Sequence, residues 1–170
     1  MPDLALRLVE GSDYDALFAI QHLLATVPLA PFALPDLSDR IACDAHLNRL
    51  RADKSMVLRA ITVDGHVVGL VFAWDTGHTP QIGFGIDPSR WGEGIATAAL
   101  IAFTALMKRR PLQASVASDH AAAIRVLEKA GFSRMADGPG DAPTPLANPA
   151  PHRYELGFFP AATFIGSVAS

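Results

Sequence analysis

Arg90 to Leu100 reads RWGEGIATAAL, two glycines one residue apart and then alanines, where an aliphatic run gives way to a helical pattern. Small residues at the opening of a helix have two uses. One is a tight turn. The other is to let a ligand reach backbone. The first N–H groups of a helix have no partner within it, and its N-terminus carries about half a positive charge. The amides of Gly92, Gly94 and Ala96 would then hold an anion such as a pyrophosphate with no side chain in the way. Two familiar phosphate-binding patterns fit poorly. No Gly-Lys-Ser/Thr follows, so this is not a P-loop. Thr97 stands where a dinucleotide fingerprint needs its third Gly or Ala, and no acid lies about 20 residues on, where Leu112-Gln113 falls.

The rest of the chain must position that turn. Its 170 residues are enough for one domain with a proper core, and 50% hydrophobic with 18% charged residues argues against disorder. A net charge of −3 gives no reason to expect nucleic acid as a partner. Cys43 is the only cysteine, which excludes an internal disulfide and a cysteine metal cluster, and its place within a helical pattern makes it a poor nucleophile. The opening MPDLALRLVEGSDYD does not read as a signal peptide, and no run approaches the roughly 20 apolar residues of a membrane span. A cytoplasmic protein with no metal and no membrane partner is expected, as a monomer or homodimer.

Leu4–Glu10 alternates as a strand. Gly11-Ser12-Asp13 supplies turn and cap for a helix to about Ala25, and Val27–Asp36, with its prolines, is a loop. Ser38 or Asp39 caps a second helix to about Ala52, carrying Ile41, Ala45 and Leu47/Leu50 inward. MVLRAITV and HVVGLVFAW flank Asp64-Gly65 as a hairpin. Pro80–Asp87 is a third consecutive strand. The helix after the glycine turn is expected to reach Arg110, with a buried stripe at 95, 98, 99, 102, 105 and 106 widened by 96, 100, 103 and 107. Thr97, Thr104 and Lys108 break that arc. Leu112–Ala117 is a strand, Ser118-Asp119 a cap, and Ala121–Ala130 a helix stopped by Gly131. Phe132–Ala136 and the segment HRYELGFF are strands around a proline-rich loop. The order β-α-α-β-β-β-α-β-α-β-β indicates an α/β fold with a mixed sheet.

Two segments together, IGFGIDPSRWGEGIATAAL and VASDHAAAIRVLEKAGF, resemble the central motifs of the GNAT N-acetyltransferases. Within that family the resemblance is to the branch of ribosomal-protein N-terminal (alanine) acetyltransferases. W-G-x-G-x-A-T is matched from Trp91 to Thr97. D-N-x-x-S-x-R-V-L-E-K-x-G-F is matched from Asp119 to Phe132 with two departures. The resemblance implies a single acetyltransferase domain over 1–170, its strongest match in 81–132. It implies a splayed mixed sheet with helices on both faces, and acetyl-CoA as co-substrate in a V-shaped opening between two parallel strands. The amides of Gly92, Glu93, Gly94, Ile95 and Ala96 would cradle the pyrophosphate and Thr97 would add a hydroxyl. The backbone of Ile86 would pair with the pantetheine arm, and Trp91 would wall the groove or pack in the core.

The departures bear on catalysis. His120 replaces the family asparagine. It can donate one hydrogen bond and is titratable near neutrality, so it is expected to position the cofactor or to act as base. Ala123 replaces the serine that would protonate the leaving thiolate, and Gln81 replaces an acid in the central strand. The remaining candidates for a base are Asp75, His78, His22, His152 and Glu155, each more at home in a structural or solvated role than in a catalytic one. His152 and Tyr154 share one face of the last strand and Glu155 points to the other. The expected reaction is direct attack of a primary amine, small molecule or protein N-terminus, on the acetyl carbonyl. Positioning and an amide aimed at the developing oxyanion would contribute most. The acceptor is expected to enter past the loops 27–36 and 137–151. The alternative is a non-catalytic acyl-CoA-binding sensor or partner module, for which Gln81 and Ala123 argue.

Overall fold

The structure is a computed structural model that describes residues 2–25, 39–75, 77–118, 120–136 and 151–157. Seven strands form one mixed sheet, and the element order is the expected one. These strands are β1 (Leu4–Arg7), β2 (Met56–Val63), β3 (His66–Trp74), β4 (Gln81–Ile86), β5 (Leu112–Ala117), β6 (Ser133–Arg134) and β7 (Pro151–Leu156). They lie in the order β1-β2-β3-β4-β5-β7-β6. The helices are α1 (Tyr14–Ala25), α2 (Arg40–Ala52), α3 (Ile95–Leu106) and α4 (Ala121–Lys129). The Asp64-Gly65 hairpin turn has both residues at positive φ, as a primed turn requires.

Alternation along the strands separates two cores. Ile61, Val71, Ala73, Ile82, Ile86, Leu112, Ala114 and Val116 pack against α3 and α4 on one face. Leu58, Ala60 and Leu70 pack against Tyr14 and Leu17 of α1 and Leu47 of α2 on the other. The first core is the larger, and Phe103 at its centre is fully buried. Truncating such a phenylalanine to alanine costs about 3–5 kcal/mol.

α1 is tied to β1 by an ion pair. The two terminal guanidinium nitrogens of Arg7 donate to Asp13 at 2.7 Å, and the same carboxylate accepts the Glu10 amide. Asp13 is 4% exposed, and Arg7 holds its carboxyl below the usual range against the opposing cost of burial.

Several expected boundaries and faces are corrected. α3 ends at Leu106, four residues early. The Thr104 carbonyl there accepts from Met107 N and from the Arg110 guanidinium, and Pro111 disfavours helical backbone at Arg110. The buried residues of α3 are Ile95, Ala99, Leu100, Phe103 and Thr104, while 98, 102, 105 and 106 face outward. This helix is apolar nearly all round, so its sequence does not single out a stripe and docking onto the sheet decides. Thr104 tolerates burial because its hydroxyl donates to the Ile101 carbonyl. Ile41 is 81% exposed. α2 buries Cys43 and Leu47, one helical turn apart, and Ile41 falls about 200° away from Cys43 round the helix. β1 is shorter than expected, and the strand after Gly131 shrinks to two residues. Phe132 instead closes the end of α4, its N–H donating to Leu127 O while Gly131, at φ 95°, donates to Glu128 O.

Candidate active site

The sheet opens between its two parallel strands. β4 and β5 share a single rung, Gln81 opposite Gln113, and have no further pairing toward their C-terminal ends. Asp87 N donates to Val68 O on one side, and Pro80 O accepts from Gln113 N on the other. By strand alternation the backbone groups of residues 82, 84 and 86 therefore turn toward the opening. A groove of about 510 Å³ occupies it. Its walls are Ile82 to Ile86, Ala114 to Val116, Leu17 and Ile20 of α1, and residues of α3 and α4.

At the C-terminal end of β4, Asp87 accepts from Ser89 N to start a short 3-10 turn. The chain then crosses Gly92 (φ 84°) and Gly94 (φ 78°) into α3. Gly94 caps α3 in the left-handed conformation without any side-chain acceptor, and the first backbone bond runs from Ala98 N to Gly94 O. The amides of Ile95, Ala96 and Thr97 precede that bond. A Cβ added at either glycine would meet no atom within 4 Å. Packing within the protein therefore does not demand glycine here. Left-handed backbone does, and the space beside it stays open toward the groove. Gly92, Gly94, Ile95, Ala96 and Thr97 all line that space.

Glu93 would be a poor neighbour for a phosphate on its own. Arg90 grips it in a two-toothed pair, Nε to Oε1 at 2.8 Å and Nη2 to Oε2 at 2.8 Å, and holds its carboxyl below the ordinary range. The charge of the acid is thereby offset at the turn. Arg125 and Lys129, one turn apart on α4, add cations to the same groove. Both stand within the second matched motif, which assigns them no role of their own. Their spacing of four on a helix that follows the glycine turn was the available signal.

Trp91 and His120 stand at the ends of the two parted strands. The Trp91 indole donates to the Ile86 carbonyl at 3.0 Å, and its ring lies 6.0 Å from that of His120. The Ile86 carbonyl is thus engaged from within the chain, and the groove-facing N–H of Ile86 and the N–H and C=O of Phe84 are the strand edge presented to a ligand. His120 is the N-cap of α4 itself, where Ser118-Asp119 were expected to cap, and Asp119 lies outside the described residues. His120 Nδ1 accepts from Ala123 N at 3.3 Å. A ring nitrogen that accepts carries no proton, so Nε2 holds it and is a donor in the neutral ring. Ala123 also lines the groove.

Among the described side chains, Asp75, His78, His152 and Glu155 are not part of the groove's walls. Asp75 pairs with Arg109, and the same guanidinium takes the His78 carbonyl. Arg134 lies 3.0 Å from His152 Nε2. His22 is in α1, its side chain outside the described residues, as are 27–36 and 137–150, where the acceptor was expected to enter. Glu155 is joined to the apex of the opening through Gln113. Cys43 is buried. Among the described residues no cluster of His, Cys, Asp and Glu could hold a metal, and no helix is long and apolar enough to cross a membrane.

Solved structures with this architecture include Mycobacterium smegmatis RimJ in complex with a CoA disulfide, at TM-score 0.75 and 23% identity over 98% of this chain and 89% of that one. RimL, a ribosomal alpha-N-protein acetyltransferase in complex with coenzyme A, matches at TM-score 0.76 and 17% identity over 91% of this chain and 93% of that one. The aminoglycoside acetyltransferase AAC(6')-Ib, in complex with coenzyme A, matches at 0.71 and 20% over 99% and 100%. At these identities the likeness shows the fold. No curated protein matches the chain significantly in sequence. The model of the acetyltransferase (GNAT) domain matches residues 3–133, which span the glycine turn, both parted strands and the His120 cap. The chain belongs to the GNAT acetyltransferase family.

Proposed function

We propose that the chain transfers an acetyl group from acetyl-CoA to a primary amine, a protein N-terminus or a small molecule, by direct attack. The observation that carries this reading is the opening between β4 and β5, bordered at its wide end by a turn whose glycines leave backbone uncovered. The groove suits a long ligand with an anionic middle and an amide-bearing arm. From Ile86 to Ile82 the strand covers roughly 13 Å, comparable to an extended pantetheine arm.

In this reading Gly92 to Ala96 hold the pyrophosphate through their amides, with the Thr97 hydroxyl beside them. Phe84 and the Ile86 N–H pair with the arm, and Arg125 and Lys129 offset the remaining phosphate charge. His120 Nε2–H donates toward the arm, as an asparagine amide would. Bound there, acetyl-CoA supplies an activated thioester carbonyl. The amine nitrogen bonds to the carbonyl carbon as the C–S bond breaks, the sulfur leaves as thiolate, and the surplus ammonium proton goes to water. The chain's part is orientation and exclusion of competing water, a contribution that reaches several kcal/mol when reacting atoms are held close.

Ala123 and Gln81 favour a second reading, an acyl-CoA-binding module without turnover, because neither can transfer a proton. One experiment separates the two. Acetyl-CoA binding is measured by calorimetry, and thiol release is followed with a panel of amines and N-terminal peptides. Binding with release supports the enzyme, binding without release the module, and no binding overturns both.

A further inference from the structure

We infer that Gln81, Gln113 and Glu155 form a one-way relay of side-chain amides that presents the Gln81 carbonyl oxygen to the acceptor's amine at the closed end of the opening. The inference rests on the acetyltransferase reading above and adds how the acceptor's nitrogen is held. The three residues occupy one continuous rung across β4, β5 and β7, with Gln81 opposite Gln113 and Gln113 opposite Glu155. This rung is the last one before β4 and β5 part.

The direction of the relay follows from the donor inventory. An ionised carboxylate can only accept, so Gln113 must turn its Nε2 to Glu155, which it does at 2.9 Å. That leaves Gln113 Oε1 facing β4, where it accepts from Gln81 Nε2 at 3.2 Å. Gln81 Nε2 also donates to the Thr79 carbonyl at 3.2 Å. Two acceptors on one nitrogen fix the amide, and its oxygen is the atom left over. Among the described residues nothing donates to Gln81 Oε1. By alternation the side chain sits on the α1 face of the sheet, one residue before Ile82, where the groove's lining on β4 begins, and Trp74 stands opposite it on β3.

A carbonyl oxygen accepts from an ammonium or amine N–H and cannot take the proton. Gln81 is therefore an acceptor-binding residue and Glu155 a positioning residue acting through Gln113. A carboxylate two strands away thus sets the polarity at a point where the chain carries no acid of its own.

The test uses the full chain with acetyl-CoA bound and ethylamine as probe. Two readouts are followed, the KM and kcat for thiol release and the side-chain amide resonances of Gln81 and Gln113 during titration. Expected results are a shift of the Gln81 resonance on titration, and a KM for ethylamine about tenfold higher in Gln81→Met, the loss of one hydrogen bond to a cation. A nearly unchanged kcat and unchanged acetyl-CoA affinity should accompany it.

Gln81→Glu alone should also be impaired, because three acceptors then face one another. In the double variant with Glu155→Gln, Gln113 can reverse and donate to the new carboxylate, and the KM should recover most of its loss. If the effects of the two substitutions simply add, or Gln81 ignores ethylamine, the relay is overturned. Should Glu155→Gln fail to fold, Gln113→Leu severs the relay and should by itself abolish the Gln81 shift. A chain that does not bind acetyl-CoA overturns the acetyltransferase reading instead, and the amide resonances with ethylamine alone then decide the relay.

Discussion

The two ends of the opening between β4 and β5 are built from different material. The wide end, from Ile86 to Thr97, is a surface of backbone amides with one paired acid and a tilted Trp91–His120 ring pair. The closed end is made of side chains, with Gln81, Gln113 and Glu155 joined across three strands. In the proposed reading the backbone meets what every acyl-CoA shares, whereas side chains can differ between acceptors without disturbing the fold. A lesion at the wide end should therefore change cofactor affinity for all acceptors alike. A lesion at the closed end should change acceptor KM and leave cofactor affinity alone.

The sharpest way to break that division is at Gly94. At φ 78° a β-branched residue is strained, and its side chain would enter the space beside the turn. Gly94→Val should lower stability by about 1–2 kcal/mol, the cost of left-handed backbone. It should also weaken acetyl-CoA binding by about 1–3 kcal/mol, as donors lose their anion. Gly94→Asn tolerates the conformation and separates the two effects, losing affinity with little change in melting temperature. Calorimetry and thermal melts on both variants check this. A Gly94→Val protein that binds acetyl-CoA normally removes the wide end from the cofactor's site.

The next effect falls on the wall that the closed end shares with α1. Leu17 and Ile20 enter the groove from α1, whose start is tied to β1 by Arg7 and Asp13. The Asp13 carboxyl lies below its ordinary value, chiefly through its bond with Arg7, so the charged form is favoured in the fold. The stabilisation is complete above the unfolded-state value near 3.9 and is lost as pH falls through the lower folded value. Asp13→Asn should cost about 1–3 kcal/mol at neutral pH and flatten the acid limb of the stability profile. Urea unfolding across pH measures it, and an unaltered acid limb refutes the assignment.

The wide end was legible in the sequence because its chemistry is local. Gly92 and Gly94 each mark one left-handed backbone position, and Gln81 to Phe132 carry both matching motifs within a short span. The closed end was not legible. Nothing in the sequence brings Gln113 between Gln81 and Glu155, since that depends on β7 returning beside β5 in one particular register. The buried face of α3 was missed for another reason. A helix apolar on nearly every side offers no contrast for periodicity to read, and Phe103 and Leu100 are chosen by the sheet beneath them.

His120 lies where the division can be sharpened, because it caps α4 and lines the groove at once. As N-cap, its Nδ1 takes the Ala123 amide, and its other nitrogen carries the ring proton. His120→Asn keeps a good cap and a donor. His120→Ala loses both, which should cost about 1 kcal/mol of stability for the cap and about 0.5–1.5 kcal/mol of acetyl-CoA affinity for the bond. The Asn variant should retain most of the rate. If it instead loses the rate along with the acidic limb of the pH–rate profile, His120 is the base and the wide end does more than hold the cofactor.

The smallest effect is expected at Ala123, two residues into α4 from its first helical position, where its amide meets His120 and its methyl faces the groove. Proton delivery to the departing sulfur falls to water if no side chain here can donate. A coenzyme A thiolate leaves readily, so the missing donor costs little. Ala123→Ser restores a hydroxyl at a helix position where serine is tolerated, at a propensity cost of about 0.5 kcal/mol. Acetyl-CoA affinity should stay within twofold, and turnover with the best amine of the panel should hold or rise by a small factor. The amine KM should not move, because the hydroxyl lies on α4 and the relay that holds the nitrogen lies on the sheet. A large fall in turnover in a folded, acetyl-CoA-binding variant would place position 123 away from the sulfur. A shift in amine KM would instead join the two ends of the groove that this comparison keeps apart.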